Sequence, residues 1–278
     1  MSLLTCTKSQ KSFDGHVELY SHQSKNNQCL MNFGLFVPSS VENLIPVLWL
    51  SGLTCTETNF LTKAGALRAA NEMGLLLIVP DTSPREVVIA GADDSWDFGS
   101  GASFYLNATQ QPWFDHYQMY DYLIKELIPV VLAKFSCTNN RVHIMGHSMG
   151  GHGALVLGLR NPDLFASVSA FAPILNPSES PWGIRAFTGY LGEDRSTWAS
   201  YDATCLVRSQ QGAKVPLLVD QGLADEFLES ELGLSSFKVA CHDVGRSVDF
   251  RMREGYDHSY FYISTFIEEH FKWHISMR

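Results

Sequence analysis

The pentapeptide Gly146-His147-Ser148-Met149-Gly150 constrains this chain more than any other string in it. An apolar run, Val142-His143-Ile144-Met145, leads into it, and a small-residue segment, Gly151-His152-Gly153-Ala154-Leu155-Val156-Leu157, leads away. The pattern reads as strand, tight turn and helix with a serine at the apex. Glycines two residues before and after that serine let strand and helix approach closely. Ser148 then adopts a strained backbone conformation and projects its hydroxyl into a cleft at the sheet edge. The pentapeptide alone is weak evidence. The flanking strand and helix, with an acid and then a histidine later in the chain, give it weight as a nucleophile elbow.

A chain of 278 residues, 45% hydrophobic and 18% charged, suits one large α/β domain spanning residues 1–278. Met1 to Asp14 carries Lys8 and Lys11 among polar residues and has no uninterrupted apolar stretch, so neither a signal peptide nor a membrane span is expected. Six cysteines, Cys6, Cys29, Cys55, Cys137, Cys205 and Cys241, are scattered with no CxxC pair, which predicts free thiols and a cytoplasmic location. A formal charge of −9 argues against a nucleic-acid partner. No histidine or cysteine cluster suggests a metal, and no cofactor is expected. The sequence leaves a homodimer open.

Short, mostly two-sided apolar runs alternate with helical stretches. Strands are expected around His16 to Ser21, Cys29 to Val37, Pro46 to Leu50, Leu75 to Val79, the elbow strand, Ser167 to Phe171, Pro216 to Val219 and Val248 to Met252. Helices are expected at Glu57 to Met73, Tyr117 to Lys134, Met149 to Arg160, Glu226 to Ala240 and Ser259 to Trp273. This predicts a mostly parallel sheet of about eight strands with helices on both faces, led by an antiparallel hairpin. Ser83 to Trp113 lacks periodicity and is rich in Gly, Asp and aromatics. It reads as an ordered loop region over the cleft.

A serine hydroxyl needs a base, which in an elbow-bearing α/β fold lies in a loop after the last strand. That singles out His258 in Gly255-Tyr256-Asp257-His258-Ser259-Tyr260. His147 and His152 flank the nucleophile and read as groups turned away from its hydroxyl that pack against and support the catalytic side chains. The remaining histidines, among them His143, His270 and His274, have no motif around them, and surface or satisfied structural roles are expected. The acid belongs between Ser148 and His258, where Asp220 and Asp225 both qualify. Asp225 is favoured because it follows a glycine turn at an expected helix start and can turn back toward His258; the other carboxylate would serve a turn or a cap. Acyl transfer also needs two oxyanion donors. These are the N–H of Met149, directly after the nucleophile, and the N–H of Leu53 in the loop after the Trp49 strand.

Longer strings carry a resemblance. Trp49-Leu50-Ser51-Gly52-Leu53-Thr54-Cys55-Thr56, Pro80-Asp81-Thr82-Ser83-Pro84-Arg85, Phe104-Tyr105-Leu106-Asn107-Ala108-Thr109, the elbow and the His258 loop together resemble the S-formylglutathione hydrolases, the esterase D family, from about Phe13 to Phe271. The resemblance implies an α/β-hydrolase fold and a cofactor-free thioesterase that cleaves S-formylglutathione to formate and glutathione. Ser148, Asp225 and His258 fall on the family's triad positions, Leu53 and Met149 on its oxyanion positions, and Cys55 on a cysteine the family keeps near the site. One departure is visible. The family usually has Gly after Ser-Pro-Arg, whereas Glu86 follows Arg85 here, which bears on that loop and its acyl-pocket contacts.

Glutathione carries two carboxylates and an amine, so an acidic chain needs selected basic or hydrogen-bonding groups at the cleft rim. Lys63, Arg85, Trp182 and Arg185 are the candidate contacts, with Cys55 beside them as a bystander thiol. Solvated surface charge is the competing role for each basic residue. A general short-chain carboxylesterase is the nearest rival function, and a non-catalytic binding protein of the same fold the most distant.

Overall fold

Two runs without a polar face, Ile45–Leu50 and Leu75–Pro80, are stable as strands only where a sheet is covered on both sides, and every residue of each is buried. The computed structural model describes residues 4–40, 42–135, 137, 141–210 and 215–277. In chain order, β1 (Thr5–Ser12), β2 (Gly15–Gln23), β3 (Leu30–Val37) and β4 (Ile45–Leu50) precede α1 (Glu57–Lys63), α2 (Leu67–Met73) and β5 (Leu75–Pro80). After a long connection, α3 (Met119–Asp121) passes through a π-helical segment, Tyr122–Leu127, into α4 (Ile128–Lys134). There follow β6 (Val142–His147), α5 (Met149–Arg160), β7 (Phe165–Phe171), α6 (Pro181–Leu191), α7 (Ala203–Arg208), β8 (Leu217–Gly222), α8 (Leu234–Asp243), β9 (Asp249–Arg253) and α9 (Tyr260–Ser276).

These strands form one sheet in the order β1-β2-β3-β5-β4-β6-β7-β8-β9. Pairing is antiparallel from β1 to β5 and parallel from β5 to β9. The chain leaves β4 for β5 on one side and later returns to β6 on the other. A crevice therefore opens beyond the carboxyl ends of β4 and β6, where ligands gather in open α/β sheets. Among the described residues no helix is long and apolar enough to cross a membrane.

The sheet has nine strands rather than about eight. The extra one is β1, Thr-Cys-Thr-Lys-Ser-Gln-Lys-Ser, exposed along nearly its whole length. An outer strand paired only to β2 has no core face to mark it with apolar residues, and its lysines suit an edge. The helix expected over Glu57 to Met73 is two helices, broken where Ala64 closes α1 and Gly65 takes a left-handed φ of 65°. The one expected from Glu226 begins only at Leu234. Asp225 Oδ1 instead accepts from Phe227 N–H at 2.9 Å, winding the chain into turns before Gly233 starts α8 at φ 65°. Ser83 to Trp113 contains no helix or strand, yet its residues 102–106 are buried throughout.

Candidate active site

The elbow is a consequence of packing around two glycines. A side chain on Gly146 would overlap the Gly150 carbonyl, and one on Gly150 would overlap the Leu50 carbonyl of β4. With both bare, β6 and α5 meet across a single residue. Ser148 holds that corner at φ 57°, a left-handed conformation that costs a non-glycine residue on the order of 1–3 kcal/mol. Met149 is the first residue of α5, so its N–H has no acceptor within the helix.

The loop after β4 comes against the same corner. A methyl built on Gly52 would lie 3.2 Å from Ser148 Cβ. Neighbouring contacts fix the loop: Tyr105 Oη donates to the Ser51 carbonyl at 2.8 Å, Thr54 N–H donates to Gly101 O at 3.0 Å, and Thr82 Oγ1 donates to Cys55 O at 2.5 Å. The long Ser83 to Trp113 connection thus serves as the backing of this loop. Phe104 O also accepts from His152 Nε2 at 3.1 Å, which ties the connection to α5.

His258 and Asp225 meet from two different loops. His258 Nδ1 lies 2.6 Å from Asp225 Oδ2. Asp225 also accepts from Gln221 Nε2 at 3.1 Å and from Phe227 N–H, so the carboxylate is buried with neutral donors around it. A proton held on Nδ1 by this acid leaves Nε2 as the basic nitrogen. Asp220 is elsewhere: its carboxylate pairs with Arg253 at 2.8 Å.

A cleft of about 140 Å³ is lined by Ser148 and His258 together with Leu53, Cys55, Trp96 and Trp182, and is closed by Gly52, His147, Phe227 and Tyr260. The walls are aromatic. Trp96 packs edge-on to Trp182 at 5.3 Å, Trp182 contacts Phe227 at 4.8 Å, and Phe227 stands edge-on to His258 at 5.0 Å. Trp96 was not singled out by the sequence, where it sits in the unpatterned connection.

Of the residues considered for glutathione, Cys55 and Trp182 line the cleft and the three cations stand outside its lining. Arg85 pairs with Asp81 at 3.0 Å and donates to Cys55 O at 2.8 Å, so its charge is committed to stapling β5 to the loop after β4. Arg185 pairs with Asp97 at 2.7 Å. Lys63 is placed 5.8 Å from the Tyr260 ring. Burial pushes the Cys55 thiol up from its ordinary pKa, with only partial relief from Tyr260, Lys63 and Arg85, so it is held as a thiol.

The His147 ring lies 4.5 Å from that of His258 and lines the cleft, so it packs against the histidine and supports it. Burial, with the His258 charge adding to it, pulls the His147 pKa well below the usual imidazole value, against an opposing contribution from the His258 backbone. A neutral ring there places no like charge beside His258. His152 is likewise neutral, drawn down to about 4 by burial. Among the described residues no group of three or more His, Cys, Asp or Glu is placed to hold a metal ion.

Comparison with known proteins places the chain in a family. The Esterase family model matches residues 24–273. An S-formylglutathione hydrolase of Rattus norvegicus is 51% identical over 269 residues, covering 96% of this chain and 95% of its own. The chain belongs to the S-formylglutathione hydrolase family of esterases. Members from distant organisms agree with it closely. One from Arabidopsis thaliana is 48% identical over 96% of this chain and 95% of its own. The solved S-formylglutathione hydrolase from Agrobacterium tumefaciens superposes with a TM-score of 0.93 at 43% identity, covering 98% of this chain and 99% of that one. The α/β-hydrolase architecture is therefore shared over nearly the whole length.

Proposed function

We propose that the chain, as one domain over residues 1–278, is a serine thioesterase that hydrolyses S-formylglutathione to formate and glutathione. The observation that carries this reading is the seating of Ser148 and the Asp225-bonded His258 in one aromatic cleft, in a chain half identical to enzymes named for that reaction. His258 Nε2 takes the Ser148 proton as Oγ attacks the formyl carbon. The N–H groups of Leu53 and Met149 receive the oxyanion. Collapse breaks the C–S bond, and His258 returns the proton to the departing glutathione sulfur. Water then attacks the formyl ester of Ser148 by the same route, giving formate and free enzyme.

A cleft of about 140 Å³ suits a one-carbon acyl group, which leaves most of the binding energy to the glutathione portion. Lys63 is the cation best placed to meet it, since Arg85 and Arg185 already have carboxylate partners. The cysteines are free, in keeping with a cytoplasmic setting. The deciding test compares kcat/KM for S-formylglutathione and p-nitrophenyl acetate in wild type and Ser148→Ala. A large thioester preference that disappears in the variant supports the reading. Equal, low rates on both substrates would reassign the chain as a general short-chain carboxylesterase.

A further inference from the structure

Asp220, the carboxylate that rivalled Asp225 in the sequence, is fully buried on β8. Its oxygens are fully engaged. Arg253, at the end of β9, reaches it with Nε at 3.1 Å from Oδ1 and with Nη2 at 2.8 Å from Oδ2. The Tyr262 hydroxyl donates to Oδ1 at 2.6 Å, and His270 Nε2 lies 3.5 Å from Oδ2. Arg253 and Tyr262 are the two residues that bracket segment 254–261, in which His258 sits. One carboxylate therefore grips both stems of the loop, from the strand whose continuation carries Asp225.

The two stems differ in what else holds them. On the β9 side, Leu223 N–H donates to Arg253 O and Ala224 N–H to Tyr256 O, each at 2.9 Å. Gly222 lets that backbone lie flat on β8, because a side chain there would overlap the Tyr256 carbonyl. Beyond His258 the bonds are local: Asp257 Oδ1 accepts from Ser259 N–H at 2.9 Å, and Ser259 caps α9. Tyr262 to Asp220 is the first polar link from this half to β8; Tyr262 also packs edge-on to Phe171 of β7, and His270 joins the same carboxylate further along α9. Burial alone would raise the Asp220 pKa, but hydrogen bonds from His270, Arg253 and Tyr262 outweigh it and keep the carboxyl ionised.

We propose that Asp220 is a positioning residue for the reaction, pinning Arg253 and Tyr262 so that His258 is held at working distance from Ser148. This rests on the serine-hydrolase reading above, so its test must separate the two. The variants are Asp220→Asn, which keeps the shape and removes the charge, and Tyr262→Phe, which removes one hydroxyl. The readouts are the rate of Ser148 labelling by a fluorophosphonate, kcat and KM for p-nitrophenyl acetate, the melting temperature, and the downfield proton resonance of His258 Nδ1–H.

Small misplacement of a reacting group costs up to about 100-fold in rate, so labelling and kcat should fall about 10-fold in Tyr262→Phe and about 100-fold in Asp220→Asn. KM should stay within about twofold, because no substrate contact is lost. The His258 resonance should broaden well below the melting temperature, an effect that stability loss alone does not produce. Tyr262→Phe decides the matter if Asp220→Asn does not fold. Labelling at the wild-type rate, or a loss accompanied by an unchanged resonance, overturns the positioning role. A wild-type chain that resists labelling overturns the nucleophile reading and the proposal with it.

Discussion

β8 and the turn that follows it carry one aspartate each, Asp220 and Asp225, and each belongs to a Ser-His-Asp set. In the cleft, Asp225 holds His258 beside Ser148. In the core, Ser169 Oγ lies 2.9 Å from His270 Nδ1, whose Nε2 faces Asp220. The residue types are the same and the surroundings differ in three ways. His258 opens to the cleft, whereas His270 is sealed. Asp225 has only neutral donors beyond its histidine, whereas Asp220 is neutralised by Arg253. Ser148 sits at the start of a helix with a free amide next to it, whereas Ser169 lies inside β7 and also bonds His274 Nε2 at 2.8 Å. Chemistry follows from access, an acid free to balance an imidazolium, and oxyanion donors. The three residue types alone do not supply it.

The core set also extends further. With Asp220 ionised, His270 Nε2–H points to it, so His270 Nδ1 accepts from Ser169. Ser169 then accepts from His274 Nε2–H, and Ser167 donates to His274 Nδ1 and accepts from His143 Nδ1–H, both contacts being 2.7 Å. Each contact has one consistent direction, and burial keeps the His270 and His274 rings neutral. The network ties α9 to β6, β7 and β8.

Exchanging the serines gives the largest contrast. Ser148→Ala should lower kcat by about 10⁶-fold, the cost of losing a nucleophile that works as one unit with its base. Ser169→Ala should retain fluorophosphonate labelling at Ser148. It strands a buried nitrogen on His270 and another on His274, at about 1–3 kcal/mol each, visible as a lower midpoint in urea. Turnover lost in Ser169→Ala while the fold stays intact would erase the distinction between the two sets. Next in size is Asp225→Asn, for which kcat should drop about 10⁴-fold as the wrong His258 tautomer is favoured.

Acid separates sealed from open histidines. His152 is held at about 4 by burial, below its ordinary 6.5, so on acidification the unfolded chain takes a proton the folded chain refuses. The stability from this group is fully present above pH 6.5 and falls as pH drops toward 4, by on the order of 3 kcal/mol. His270 and His274, lowered mainly by burial, act in the same direction. Unfolding free energy measured from pH 7.5 to 5 should decline, and His152→Phe should flatten the slope. A flat wild-type profile would mean these rings are already charged in the fold.

The cleft set was far more legible in the sequence than the core set, for a physical reason. An elbow restricts backbone geometry so tightly that Gly146, Ser148 and Gly150 announce it. Chain order and a turn then point to His258 and favour Asp225 over Asp220. The core set has no backbone signature, because Ser167 and Ser169 read as small residues filling a strand. The available signal was spacing: His270 and His274 share one helix face, and Ser167 and Ser169 share one strand face. The Asp225 helix start failed because a local Asx turn competes with helix at such residues. β1 was missed because an edge strand has no buried face to pattern.

Cys55 gives the smallest and most discriminating contrast, since it stands in the open cleft yet has the electrostatics of a sealed group. With its pKa raised by burial, little thiolate is present near pH 7, and iodoacetamide should react slowly, at a rate still climbing above pH 9. Once formed, the adduct occupies a cleft of about 140 Å³ and should block it, so inactivation should track labelling one to one. Cys55→Ala should resist inactivation and change kcat/KM by no more than about threefold, because the thiol holds no proton the reaction needs. Inactivation of Cys55→Ala at the wild-type rate would move the sensitive thiol elsewhere. A loss of turnover on the scale of Ser148→Ala would instead make Cys55 part of the chemistry, and the division between the two sets would have to be redrawn around it.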